Sequence, residues 1–199
     1  MTTPPATPRP IGPVGPVGPI LDPPLAKDLT LVEAVAATLA AAGVAQAFGV
    51  VGSGNFHLTN ALRACGVDFV AARHEMGAAV MGDAYARLTR TPAVVTLHQG
   101  CGLTNALTGI TEAAKSGSPV IVVTAEATNP HSNFFVDQAA AARAVGAEPV
   151  RIDDPTTAVA DTLTAVARAV DGRRTVVVNL PLDAQTALVP PDARTAAAV

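Results

Sequence analysis

From Thr30 onward the chain switches between two hydrophobic rhythms. Short unbroken apolar runs, VVTL at 94–97, VIVVTA at 120–125 and TVVVNL at 175–180, alternate with longer stretches of helical spacing. Unbroken runs of this kind predict strands buried on both faces. Thr30-Leu31-Val32-Glu33 is a capping-box pattern and opens a helix to about Ala42. The pattern then predicts a strand over 45–50, a helix over 55–64, a strand over 68–71 and a helix over 74–90 that stops before Pro92. A strand over 93–97 leads through Gly100-Cys101-Gly102 into a helix to about Lys115. A strand over 120–124, a helix over 136–145 and an extended segment over 150–152 follow. Asp154-Pro155 reads as an N-cap with proline at the first helical position, opening a helix to about Val170. Residues 175–180 form the last strand.

Six short strands with helices between them predict an α/β fold: one domain with a doubly wound, six-stranded, mostly parallel sheet and helices on both faces. Ligands in such sheets sit beyond the carboxyl ends of the strands. The chemistry is therefore expected in the loops at 52–55, 73–75, 98–102 and 126–137.

The ends have a different texture. Nine of the 17 prolines fall between Pro4 and Pro24, around a Gly-Pro-Val repeat. Residues 1–28 are expected to be a Pro/Gly-rich flexible tail, 29–186 the folded domain and 187–199 a C-terminal extension. The uncharged stretch from Ala34 to Val51 is broken by Gly43 and Gly49, so it reads as helix, turn and strand rather than a membrane span. The start of the chain has no continuous apolar h-region, so no secretory signal is expected.

Composition removes several function classes. At 49 % apolar residues, the 199-residue chain can bury a core. A net charge of −3 without a basic block, and 3 % aromatics, argue against nucleic-acid binding. Cys65 and Cys101 are too few for a disulfide scaffold and fit a reducing, cytoplasmic setting.

Within the loops, Glu75 begins a helix after a strand. It is either a first-turn acid favoured by the helix dipole or a carboxylate in a dry crevice, able to share a proton with a ring nitrogen. Gly52-Ser53-Gly54 and Gly100-Cys101-Gly102 each join a strand to a helix. They serve as plain turns or as places where backbone approaches a ligand. Neither is a dinucleotide fingerprint or a P-loop. His98 and Gln99 end an apolar strand before a glycine turn, and His98 is either hydrogen-bonded structure or a residue facing the same crevice as Glu75. Cys101 has no paired base in the pattern, and small-residue packing is its plainer reading. His57 and His131 lack metal-ligand spacing, so no metal site is expected on this chain.

Four stretches in order carry a family resemblance: GVAQAFGVVGSGNFHLTNAL, RHEMGAAVMGDAYAR, VVTLHQGCGLTNALTGITEAAKSGSPVIVVTAE and RRTVVVNLPLDAQ. Together they resemble the pyrimidine-binding (PYR) domain of thiamine-diphosphate-dependent enzymes, most of all the acetolactate-synthase-like family of 2-oxo acid decarboxylases and carboligases. The resemblance spans Leu29 to Gln185. It implies that Glu75 is the glutamate that hydrogen-bonds N1′ of the cofactor aminopyrimidine and favours its imino tautomer. It places Gly52 and Gly54 against the pyrimidine. Gly100, Gly102, Thr104 and Asn105 match the family's glycine turn and its T-N pair, with Cys101 where proline is usual. His98 falls at a substrate-facing position with Gln99 beside it, and Phe135 and Gln138 lie on a loop reaching toward substrate.

The family's diphosphate-binding (PP) domain opens with Gly-Asp-Gly and holds Mg²⁺, and no Gly-Asp-Gly occurs here. The expectation is a PYR subunit of a split enzyme acting on a 2-oxo acid. It would share thiamine diphosphate with a PP-domain partner chain that carries the Mg²⁺, in a hetero-oligomer with PYR–PYR pairing, and be inactive alone. The alternative is a non-catalytic PYR-fold partner or regulatory subunit.

Overall fold

The computed structural model describes residues 28–194. All of the expected 1–28 tail but Asp28, and residues 195–199, lie outside the described residues. The elements run α1 (Leu31–Ala41), β1 (Gln46–Gly49), α2 (Phe56–Ala64), β2 (Asp68–Ala71), α3 (Glu75–Thr89), β3 (Ala93–Leu97), α4 (Cys101–Ser116), β4 (Val120–Glu126), α5 (Gln138–Ala144), β5 (Glu148–Arg151), α6 (Ala158–Val170) and β6 (Val176–Pro181). The strand order is β2-β1-β3-β4-β6-β5, and every neighbouring pair is parallel. This is the doubly wound sheet that the alternation of rhythms predicts.

The unbroken apolar strands are buried on both sides, as their composition requires. Val94, Ile121, Val123, Val176 and Val178 pack with α1, α2 and α6 residues such as Leu39, Leu58 and Val166. Val95, Leu97, Val120, Val122 and Val177 face the other way, onto Ala79, Leu103, Ile110 and Ala142 of α3, α4 and α5. Burial of a Leu or Val side chain contributes about 1.5–3 kcal/mol. The two layers therefore fix the sheet, and with it the loops at its carboxyl edge.

Several boundaries differ from expectation for local reasons. The Thr30–Glu33 capping box forms as expected. Asp154, expected to cap the last helix, instead closes a turn of its own: its Oδ1 accepts from the Thr156 amide (2.8 Å) and hydroxyl (2.6 Å). Thr157 is the cap, and α6 starts at Ala158. β4 runs on to Glu126 because β6 keeps pairing with it as far as Pro181. α5 begins at Gln138 rather than Val136, because the Asp137 side chain takes the Ala140 amide at 2.8 Å. β5 covers 148–151 rather than 150–152.

Residues 187–189, expected to start an extension, run back along the head of α1. Leu188 bridges Thr30, the Val189 amide donates to Leu29 O (2.8 Å), and Val189 is 1 % exposed.

At the amino end of the sheet a polar cluster fixes α3 on α4. Arg87 donates to both oxygens of Asp83 (2.9 and 2.7 Å) and to Glu112 (2.9 Å), and the Ser118 hydroxyl donates to Asp83. These charge-assisted bonds to Asp83, then to Glu112, hold the Arg87 proton still more firmly than in a free guanidinium. Among the described residues, no helix is long and apolar enough to cross a membrane.

Candidate functional site

The loops after β1, β2 and β3 meet beyond the carboxyl edge of the sheet. Glu75 is the first residue of α3, and the His74 side chain caps that helix by accepting the Met76 amide (3.2 Å). Glu75 is half-buried. Its Oε2 accepts from Asn105 Nδ2 on α4 at 3.0 Å, while Oε1 has no hydrogen bond among the described residues. Oε1 lies 3.9 Å from where a Cβ on Gly102 would stand. Glu75 thus has one carboxylate oxygen engaged by Asn105 and one free of hydrogen bonds among the described residues.

The loop after β1 is pinned from beneath. Asn55, buried at the head of α2, accepts the Gly52 amide (2.8 Å) and donates to Val50 O (3.1 Å) and Thr96 Oγ1 (3.0 Å). Gln185 Nε2 donates to Gly54 O at 3.0 Å. The Gly54 amide donates to His98 Nδ1 at 3.2 Å. That bond assigns the tautomer: Nδ1 accepts, so the neutral ring carries its proton on Nε2. Burial pulls the His98 pKa below its usual value, against the opposing pull of the Glu75 charge. The Phe134 ring stands edge-on at 5.2 Å. Gly54 is glycine for a steric reason: a Cβ there would lie 1.8 Å from Gln99 Oε1 and 2.8 Å from His98 Nδ1.

The turn after β3 is held from the far side. Gly100 sits at φ +63, where glycine is favoured, and a Cβ would run into the carbonyl of Phe134. Its amide donates to Gln138 Oε1 at 2.8 Å. Gln138 Nε2 donates to Ala125 O (3.0 Å) and Asn179 Oδ1 (2.9 Å). Gln138 is 1 % exposed and its amide is committed to protein partners, so it braces the turn instead of reaching an open site.

The structure thus brings together Glu75, Asn105, Gly102, His98, Gln99, Gly52 and Gly54. It sets Gln138 inside the protein. Phe135 is exposed, and its neighbour Phe134 is the aromatic beside His98. Cys101 is exposed at the first position of α4. Sequence reasoning missed Asn55, Gln185 and Phe134. Asn55 carried a usable signal, an Asn at a helix start directly after Gly-Ser-Gly; Gln185 and Phe134 carried none.

A family model described as thiamine pyrophosphate enzyme, N-terminal TPP binding domain, matches residues 29–145. The chain belongs to the family of N-terminal TPP-binding domains of thiamine pyrophosphate (TPP) enzymes. Its relatives include a sulfoacetaldehyde acetyltransferase of Alcaligenes xylosoxydans xylosoxydans, 38 % identical over 98 residues that make up 49 % of this chain and 16 % of the relative. A probable 2-ketoarginine decarboxylase of Pseudomonas aeruginosa is 37 % identical over 49 % of this chain and 17 % of its own length. An acetolactate synthase of Bacillus subtilis is 37 % identical over 46 % of this chain and 16 % of its own length. The match to each relative thus spans about one-sixth of that protein.

The residues present fit the aminopyrimidine half of TPP. Glu75 keeps one carboxylate oxygen uncommitted, and the Gly52 to Gly54 loop beside it presents backbone where side chains would crowd His98.

Proposed function

We propose that this chain is the PYR half of a TPP-dependent enzyme acting on a 2-oxo acid, by decarboxylation alone or followed by carboligation. One observation carries the reading. At the head of α3 a carboxylate is anchored through Oε2 by Asn105, and its Oε1 has no hydrogen bond among the described residues. Bound TPP supplies the electron sink that 2-oxo acid cleavage needs. The role of Glu75 is to hold a proton at N1′ of the aminopyrimidine, in a site whose second wall excludes water and so strengthens that hydrogen bond. Asn105 orients the carboxylate. His98 presents Nε2–H toward substrate, and the backbone of Gly52, Gly54, Gly100 and Gly102 leaves room for the ring. The relatives named as decarboxylase, acetyltransferase and acetolactate synthase support this reaction class.

The second wall belongs to a PP domain, which also carries the Mg²⁺ and the diphosphate. Val51, Phe56, Met76, Phe135 and Leu182, in or just after the segments that follow strands at the carboxyl edge of the sheet, are large apolar residues left exposed and suited to burial against another domain. In the split arrangement that domain arrives on a separate chain, and a second PYR domain pairs with this one.

Purifying the full-length chain from its own cells tests both parts. The chain is expected to bring down a PP-domain protein, and that assembly, given TPP and Mg²⁺, to consume a 2-oxo acid while the isolated chain does not. Robust turnover by the isolated chain overturns the split arrangement. An assembly that binds TPP and consumes none of a panel of 2-oxo acids overturns the substrate class.

A further inference from the structure

Among the described residues, three helices begin with a side-chain cap: Thr30 for α1, His74 for α3 and Asp137 for α5. Thr and Asp are residue types that N-caps favour. An imidazole is not, yet it stands at the helix that opens with Glu75.

The backbone of His74 is extended, and its Nδ1 accepts the Met76 amide at 3.2 Å. Nδ1 accepts only when it carries no proton, so the cap is a neutral ring protonated on Nε2. Asp137 caps α5 with a carboxylate. A carboxylate at position 74 would set a like charge next to Glu75 and oppose its ionised form. The imidazole caps without that charge.

What such a cap spares is visible in α1. There a first-turn glutamate spends its side chain on the backbone: Glu33 Oε2 accepts the Thr30 amide at 2.9 Å. The first amides of a helix have no partner within it and draw nearby acceptors. At the head of α3 the Met76 amide is already served, and Glu75 reaches instead to Asn105 Nδ2 on α4 at 3.0 Å. Asn105 therefore holds one oxygen, and His74 removes a backbone competitor for the other.

We propose that His74 is a positioning residue: by capping the Met76 amide it fixes the first turn of α3 and keeps Glu75 Oε1 available to the ring nitrogen of the cofactor. The assignment rests on the proposed function.

His74→Phe keeps a ring and removes the acceptor, and His74→Asn restores an acceptor that N-caps favour. His74→Leu replaces the first variant should it fail to fold. In the full-length chain without cofactor, water exchange of the Met76 amide, read by NMR, is faster in His74→Phe and near wild type in His74→Asn. In the assembly with TPP and Mg²⁺, exchange of the TPP C2 proton with deuterium slows about 2–30-fold in His74→Phe, the span that loss of one cap converts to, and stays within about twofold of wild type in His74→Asn. In His74→Phe kcat falls with it while KM for the 2-oxo acid holds within about twofold. Thr30→Ala removes a cap from α1 and lowers the melting temperature to a similar extent without slowing C2 exchange. A cap that only stabilises would behave alike at both helices.

Unchanged C2 exchange in His74→Phe overturns the proposal, as does Met76 exchange that is equal in all the chains. Equal slowing of C2 exchange in His74→Asn, or in Thr30→Ala, overturns it as well: the first would implicate the imidazole itself, the second stability alone. Glu75→Gln in the same assay separates two failures. C2 exchange unaffected by Glu75→Gln overturns the functional reading and this proposal together; C2 exchange lost there but normal in His74→Phe overturns this proposal alone.

Discussion

Two glutamines flank the Gly100 turn at nearly equal depth, Gln138 at 1 % exposure and Gln99 at 5 %. On the Gln138 side every polar end is engaged: its amide ties the turn after β3 to Ala125 of β4 and Asn179 of β6, and Asn179 continues to Val150 O of β5 at 3.2 Å. On the Gln99 side the amide itself makes no hydrogen bond among the described residues, and its oxygen lies against Gly54. Depth of burial therefore says little about what a polar side chain does here. Whether its hydrogen bonds are made inside the chain separates Gln138, which braces the turn, from Gln99, which makes none among the described residues.

The largest expected effect tests whether the unengaged side carries the chemistry. In the assembled enzyme, Glu75→Gln lowers turnover about 10²–10⁴-fold, the usual range for a proton-handling group. Assembly and melting temperature stay near wild type, because the amide keeps the shape and a contact to Asn105. Near-normal turnover, read by steady-state kinetics, would make Glu75 an ordinary first-turn acid and dissolve the contrast.

The engaged side answers to stability instead. Gln138→Leu strips partners from Gly100 N, Ala125 O and Asn179 Oδ1. At about 1–3 kcal/mol for each orphaned group, less than additively, a loss of about 2–5 kcal/mol is expected in urea denaturation of the full chain. A neutral result would show that the brace holds nothing.

Gly54→Ala joins the two regions in one experiment. Its Cβ would collide with Gln99 Oε1 and press on His98 and Ala125. A cost of about 1–3 kcal/mol is expected, as for other overpacking. The same change in a Gln99→Ala background costs less, by about 0.5–2 kcal/mol in a double-mutant cycle. Equal costs in both backgrounds would mean that Gln99 does not fill that space.

The smallest effect is a pH dependence. The folded-state pKa of His98 lies below its unfolded value because of burial. Between the two values the unfolded chain binds more protons, so stability is full above about pH 6.5 and declines as pH falls through that window. Protonation at Nδ1 also breaks the bond from Gly54. Unfolding free energies at pH 8 and pH 5.5 should differ more in the wild type than in His98→Asn. A larger difference in the variant would remove His98 from the argument.

The frame of this site was legible because it rests on local rules. Apolar runs placed the strands, Thr30 and Glu33 announced a helix start, and strand–helix alternation located the loops. What stayed hidden is tertiary. Asp154 carries the chemistry of an N-cap and spends it on Thr156. The residue type at 99 and 138 is the same, and no local pattern shows that one meets three partners and the other none. Phe134 and Phe135 are adjacent aromatics, and only the path of the loop decides which ring meets His98. The family resemblance named Glu75 and its glycine neighbours, but that Asn105 takes one oxygen of Glu75 and leaves the other is visible only in the fold.

The strip that runs from 185 to 189 along the head of α1 also has a mechanical consequence. Its bonds, Val189 N to Leu29 O, Leu31 N to Ala187 O and Val32 N to Gln185 O, lie in series between two antiparallel segments. A pull applied at residues 28 and 190 loads them one at a time, as a zipper opens, rather than shearing them together. The third to part frees Gln185, whose side chain holds Gly54 O. Tension on the flanking chain would thus reach the loop beside Glu75 before it strains a single strand of the sheet.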